Sequence, residues 1–331
     1  MARDPNGVEL PDYDELPRIG GVPASWGLWG PDDKLGALNL LTPERAAAAA
    51  KLVRRGAVFP LDWDWSCPSP PLFERRPWRH TVVDVPGSRS KDDYLDDWNP
   101  SASTQWDGFR HVRREGYGCY NGIDNQDHGV GYWADRGLVG RGVLADVASW
   151  RDSIGRPIIQ EAPDRITVDD LRQTLAAAEV ELQAGDLLLV RTGWTDWYLR
   201  QEPAKRGAIS TMTGLVTPGL DPVQDMARYL WNNHVAAVAG DNPALEVWPI
   251  GAHLSKAETD AILADPAAHE HEMQLHTHLL PMLGIPIGEL FFLDKLAADC
   301  AADGVYAFML TSSPMHLRHG VATTPNALAL K

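Results

Sequence analysis

The sequence has little cysteine. Only Cys67, Cys119 and Cys300 occur in 331 residues, widely spaced and without a CxxC pair. An odd, scattered set argues against a disulfide framework and fits free thiols in a reducing cytoplasm. Positive charge is also scarce: 30 Lys and Arg against 45 Asp and Glu leave a net charge of −15. Nucleic acid and anionic membrane would repel such a chain, so neither is expected as a partner. No apolar run approaches the roughly 18 residues of a membrane span. The first residues, MARDPNGVELPDYDELPRIG, lack the basic and apolar regions of a signal peptide. A soluble, cytoplasmic protein is expected. Phosphate-binding glycine loops are missing too, as is the G-x-S-x-G turn of serine hydrolases. No nucleotide cofactor is therefore expected.

What is present in excess is tryptophan, 13 against 8 Tyr and 6 Phe. Such a surplus serves either a Trp-rich core or flat apolar ligand surfaces. The 44% hydrophobic and 23% charged fractions are those of a globular chain. Residues 1–35 are rich in Pro and Gly and read as an extended N-terminal arm. Residues 36–331 read as one α/β domain with a mixed sheet. Thr42-Pro43-Glu44 starts a helix, VFPLDWDW (58–65) alternates like a strand, and residues 67–100 look irregular. Strands follow at about 143–148 and 186–192, with a helix over about 168–178 that opens on a Thr167/Asp170 capping box. A further helix lies in TPGLDPVQDMARYLWNN, with Pro222 in its first turns, then a strand ending at Asp241. A helix over 269–283, another over LDKLAADCAADG and a last strand, VYAFMLTSS, complete the alternation.

Two segments can carry chemistry. In NPSASTQWDGFRHV, Gln105 and Asp107 share a face of an extended segment, and His111 follows Asp107 by four. A carboxylate, an amide and an imidazole together can activate water or bind metal. In the second segment, His276 borders the apolar face of its helix. Glu289 stands alone in the apolar run LGIPIGELFFLDKL, where an unpaired charge is expensive. His269 and His271 are expected on a solvated face. Gly140-Arg141-Gly142 can present a guanidinium to a substrate, and His128 can line a cleft.

Several segments, in this order, resemble the cyclase family that includes bacterial kynurenine formamidase and isatin hydrolase. They are WGPDDKLGALNLLTPE (29–44), STQWDGFRH (103–111), GLVGRGVLADV (137–147), GDLLLVRTGW (185–194), AGDNPALEVWP (239–249), LHTHLLPMLGIPIGEL (275–290) and GVATTPNALALK (320–331). The resemblance implies a swivelling β/β/α cyclase-like fold, a homodimer or homotetramer, and a metal-dependent amidohydrolase site for a small-molecule substrate. The family's motif is H-x3-H-x-D-x3-H. Asp107 and His111 match its last two positions, whereas Ser101 and Gln105 stand where the first two histidines would be. His276 and Glu289 match the downstream ligands, with one extra residue between them.

Losing two imidazoles hardens and weakens the site. A divalent metal such as Mn or Zn on Asp107, Gln105, His276 and Glu289 remains one alternative, and a metal-free site the other. The catalytic set is then His111, Asp107, His276 and Glu289. Trp106, Gln105, Arg141 and His128 would contact substrate. Among the tryptophans inside or beside the matching segments (Trp26, Trp29, Trp106, Trp133, Trp194 and Trp248), Trp106 is the first choice for a planar ligand. Three functions stay open: hydrolysis of a cyclic amide, formamide or lactone; a metal-independent cyclase, dehydratase or isomerase reaction of secondary metabolism; and non-catalytic binding of a small molecule.

Overall fold

The computed structural model describes residues 7, 9–123 and 128–331. A nine-stranded mixed sheet forms its frame. In chain order the strands are β1 (Val58–Pro60), β2 (Gln105–Asp107), β3 (Leu138–Asp146), β4 (Leu187–Arg191), β5 (Ala237–Gly240), β6 (Ile287–Glu289), β7 (Ala307–Ser312), β8 (Ala322–Thr323) and β9 (Ala327–Leu330). Across the sheet they run β8-β2-β6-β5-β4-β3-β7-β9-β1. The central four, β3 to β6, are parallel, and both flanks are antiparallel. That arrangement explains the texture of the sequence. Leu187–Leu189 and Ala237–Ala239 are continuous apolar runs because a central parallel strand is buried on both faces.

The main helices are α1 (Pro43–Ala50), α2 (Val168–Ala177), α3 (Gln224–Asn232), α4 (Lys256–Ala264) and α5 (Asp294–Asp303). The Thr42 hydroxyl caps α1, and Thr167 with Asp170 forms the capping box of α2. Both helices pack against β3.

Three expectations are corrected. The strand begun at Val58 stops at Pro60, because Asp62 turns to accept the amides of Asn326 and Ala327. Within the stretch expected to be irregular, Arg79–Asp84 and Lys91–Asp96 pair as a solvent-exposed antiparallel hairpin. Its alternation is short and mostly polar, which hides it from a periodicity reading. The helix expected over 269–283 is broken. One helical turn, His276–His278, runs into a π-helical turn, Leu279–Leu283, that contains Pro281. Proline lacks the N–H that a regular turn would use, and π-turns of this kind cluster at functional sites.

Candidate active site

The site is built where β2 and β6 pair. Their register sets Glu289 opposite Gln105 and Ile287 opposite Asp107. Gln105, Asp107 and Glu289 therefore point to the same face. Trp106, between them, points the other way. It is fully buried, packs on Phe291 at 4.9 Å, and donates its indole N–H to Ser312 Oγ at 3.0 Å. A Cβ at Gly288, opposite Trp106, would come within 2.8 Å of that ring, so the position needs glycine. Trp106 is thus a core residue and does not line the pocket beside His111 and His276.

The Gln105 amide nitrogen donates to Glu289 Oε2 at 2.7 Å and to both Asp107 oxygens at 3.2 and 3.3 Å. It is the nitrogen that faces the carboxylates; a metal ligand would have to present the oxygen. That oxygen, Oε1, is buried and without a partner. His276, at the start of the broken helix, reaches the same point. Its Nε2 lies 3.3 Å from Glu289 Oε1 and 3.9 Å from Asp107 Oδ2. Its Nδ1 is held by the Glu246 carboxylate at 2.7 Å. His111 closes the group with Nδ1 3.8 Å from Asp107 Oδ1.

Glu246 is not among the residues expected from sequence at this site. It follows β5, at the carboxyl end of a parallel strand, where open α/β sheets commonly place ligand-contacting residues. The signal was available: Glu246 stands alone in the apolar run ALEVW, as Glu289 does in its own.

The electrostatics of the two histidines diverge. Burial opposes a charge on His276, but the Glu246 carboxylate, with Glu289, outweighs it and holds the proton well above the ordinary imidazole range. At His111 the Asp107 charge favours the proton. Burial, with His276 and Arg75, outweighs it and the group is held low. Burial, and then the Asp107 charge, push Glu289 upward. Environments that drive neighbouring groups apart in this way define an acid and a base.

The same atoms suit a divalent cation. Asp107, His111 and His276 each offer a ligand atom, all within 4.8 Å of one another. Two carboxylates buried side by side require positive charge, and mixed O and N donors are a ligand set that Zn²⁺ or Mn²⁺ accepts. Glu246 on Nδ1 of His276 is the orienting carboxylate that metal-bound histidines commonly have.

Above this floor lies a pocket of about 240 Å³. Phe73, Val112, Trp248 and Ile250 form its apolar wall, and Arg75, His111, Gln274, His276 and Glu289 its polar side. Two further expected substrate contacts fall elsewhere. Arg141, on β3, donates to the Glu181 carbonyl at 2.9 Å and borders a separate surface cleft. His128 is buried with Nε2 2.6 Å from the Tyr120 carbonyl, between Phe109 and Tyr120. His269 meets Glu272 at the surface, whereas His271 is half-buried edge-on against His278 rather than solvated.

Comparison with known proteins decides the lineage. The Cyclase family model matches residues 62–247, more than half of the chain. The chain belongs to the Cyclase family. A solved family structure described as a novel cyclase is 30% identical, with a TM-score of 0.77 over 93% of this chain and 99% of its own. Two isatin hydrolases share the fold at low identity. The enzyme from Labrenzia aggregata, bound to benzyl benzoate, has a TM-score of 0.53 at 15% identity, over 86% of this chain and 96% of its own. A second, bound to the product analogue thioisatinate, has a TM-score of 0.54 at 14% identity, over 88% and 99%. No curated protein matches the chain. Membership accounts for the mixed α/β architecture. Within the Cyclase fold, this chain carries Ser101 and Gln105 six and two residues before Asp107. Among the described residues no helix is long and apolar enough to cross a membrane.

Proposed function

We propose that this member of the Cyclase family hydrolyses a cyclic amide, formamide or lactone. The observation that carries the reading is the opposite bias of two histidines flanking Asp107 at the bottom of one pocket. His111, which disfavours a second proton, takes a proton from water as the water attacks the carbonyl carbon. His276, kept protonated by Glu246, donates to the oxygen on which negative charge develops. The proton held by His111 then passes to the departing nitrogen or oxygen, so one water is added across the broken C–N or C–O bond. Asp107 orients His111, and Gln105 keeps the Asp107 and Glu289 carboxylates together. A divalent ion, Mn²⁺ or Zn²⁺, on Asp107, Glu289 and a deprotonated His276 Nε2 would stand in place of the His276 proton, and would supply Lewis acidity toward the carbonyl and acidify water. A cytoplasmic homodimer or homotetramer acting on a small molecule completes the proposal.

The test is turnover of isatin, formanilides and aryl lactones, followed with metal analysis. Turnover that EDTA abolishes, and Mn²⁺ or Zn²⁺ restores, is the expected result. Absence of turnover on every class would overturn hydrolysis.

A second reading is a metal-independent cyclase, dehydratase or isomerase reaction. It is favoured by one observation: the Gln105 amide nitrogen already bridges the two carboxylates. Turnover indifferent to EDTA, in protein free of divalent ions, is its signature.

A further inference from the structure

The pocket carries a cation that the chemistry above does not use. Arg75 lines it beside His111, His276 and Glu289. Its guanidinium lies 4.8 Å from the centroid of the Phe73 ring, within stacking range. Among the described residues its side chain forms no hydrogen bond and no ion pair. Asp107 and Glu289 influence it only through space. Every other charge at the site is already engaged. Glu246 holds His276, and the Gln105 amide joins Asp107 to Glu289. An arginine left partly buried without a carboxylate is costly unless something else supplies one.

The backbone that delivers Arg75 is itself unusual. Phe73 and Glu74 both have positive φ, 59° and 55°, a conformation that side-chain-bearing residues adopt at an energetic cost. The turn is held by Arg75 N–H donating to the Leu72 carbonyl at 3.2 Å and Glu74 N–H to the Ser210 carbonyl at 3.1 Å. Its effect is to place both the Phe73 ring and the Arg75 guanidinium on the pocket. Phe73 in turn meets the Trp248 ring edge-on at 5.1 Å. An apolar corner of two nearly perpendicular rings thus ends in a planar, five-donor cation.

We propose that Arg75 is an anion-recognition residue and that the pocket takes an aromatic or cyclic carbonyl compound bearing a carboxylate. The guanidinium fork pairs with that carboxylate, the ring sits in the corner between Phe73 and Trp248, and the carbonyl is directed at His111 and His276. This assignment of substrate class rests on reading the pocket as the substrate site.

The test uses two probes of nearly equal shape, 2-aminobenzoate and 2-aminobenzamide, which differ in charge. Each is titrated into the purified chain by fluorescence, with no turnover required. The wild type should bind the carboxylate about tenfold or more tighter than the amide. Arg75→Gln should remove that preference while changing amide affinity less than about twofold. Arg75→Lys should keep part of it, because charge remains and the fork is lost. Equal affinity of the wild type for both probes overturns the proposal. So does a carboxylate preference that survives Arg75→Gln, or no binding of either probe at millimolar concentration. Unchanged melting temperatures exclude misfolding as the cause of a lost preference. If the carboxylate preference holds but no amide or lactone is hydrolysed, the anion site stands and the hydrolase reading falls.

Discussion

His111 and His276 lie 6.0 Å apart, ring to ring, yet favour different protonation states. The cause is residue-level: Glu246 touches one and not the other. Glu246→Gln should therefore lower the affinity of His276 for its proton. If protonated His276 is the working form, the alkaline limb of the rate profile moves acidward by about a unit or more. His111→Ala should lower kcat by about 10²- to 10⁴-fold, the usual share of a general base; steady-state kinetics checks both. Another histidine sets stability. Burial, and then the neighbouring His271, push His278 down to about 3. Its native pKa is below the unfolded value of about 6.5. The neutral form's contribution is therefore complete above pH 6.5 and is lost as pH falls toward 3. At pH 5 the loss is ~2 kcal/mol. His278→Gln should flatten the fall in melting temperature between neutral pH and pH 4.

At the scale of elements, the pairing of β2 with β6 makes the site. The period of two sends Gln105, Asp107 and Glu289 to one face and Trp106 to the other. Gly288→Ala would press a methyl group into Trp106, Ala239 and Phe291. The expected cost is about 1–3 kcal/mol, read from urea unfolding. A fall in activity should accompany it, because a shifted β6 carries Glu289 with it. Much at this scale could be read in advance. The Thr42 and Thr167 caps, the apolar runs of β4 and β5, and Gln105 with Asp107 on one face all follow from local rules. Trp106 could have been assigned to the far face by the same alternation that grouped its neighbours. The break near His276 was less accessible, since a helical pattern of apolar residues conceals what Pro281 does to the turn.

For the whole molecule, charge is organised more finely than a total of −15 suggests. Arg191, on β4, pairs with Asp146 at the end of β3 and with Asp294 at the start of α5, at 2.9 and 2.8 Å. Burial opposes its charge, but these carboxylates and the nearby Asp241 outweigh it and push the group upward. Arg191→Met would leave those carboxylates, Asp146 and Asp241 buried and Asp294 partly so, without their cation at the carboxyl ends of the parallel strands. It should cost about 3–5 kcal/mol, seen as a lower denaturation midpoint.

Composition and pattern were sufficient for the α/β class, a mixed sheet with helices between its strands. Spacing singled out Asp107 and His111, a position beside an apolar face His276, and a charge in an apolar run Glu289; the structure brings these four side chains together. Composition and pattern could not place Glu246 and Arg75 in the site, nor take Arg141 and His128 out of it. Those assignments depend on which distant segments converge. Glu246 is 30 residues from His276, and Arg75 arrives from a loop with no periodicity. Local rules act along a few residues of chain, whereas a polar site is completed by neighbours that only the packed sheet brings within a few ångströms.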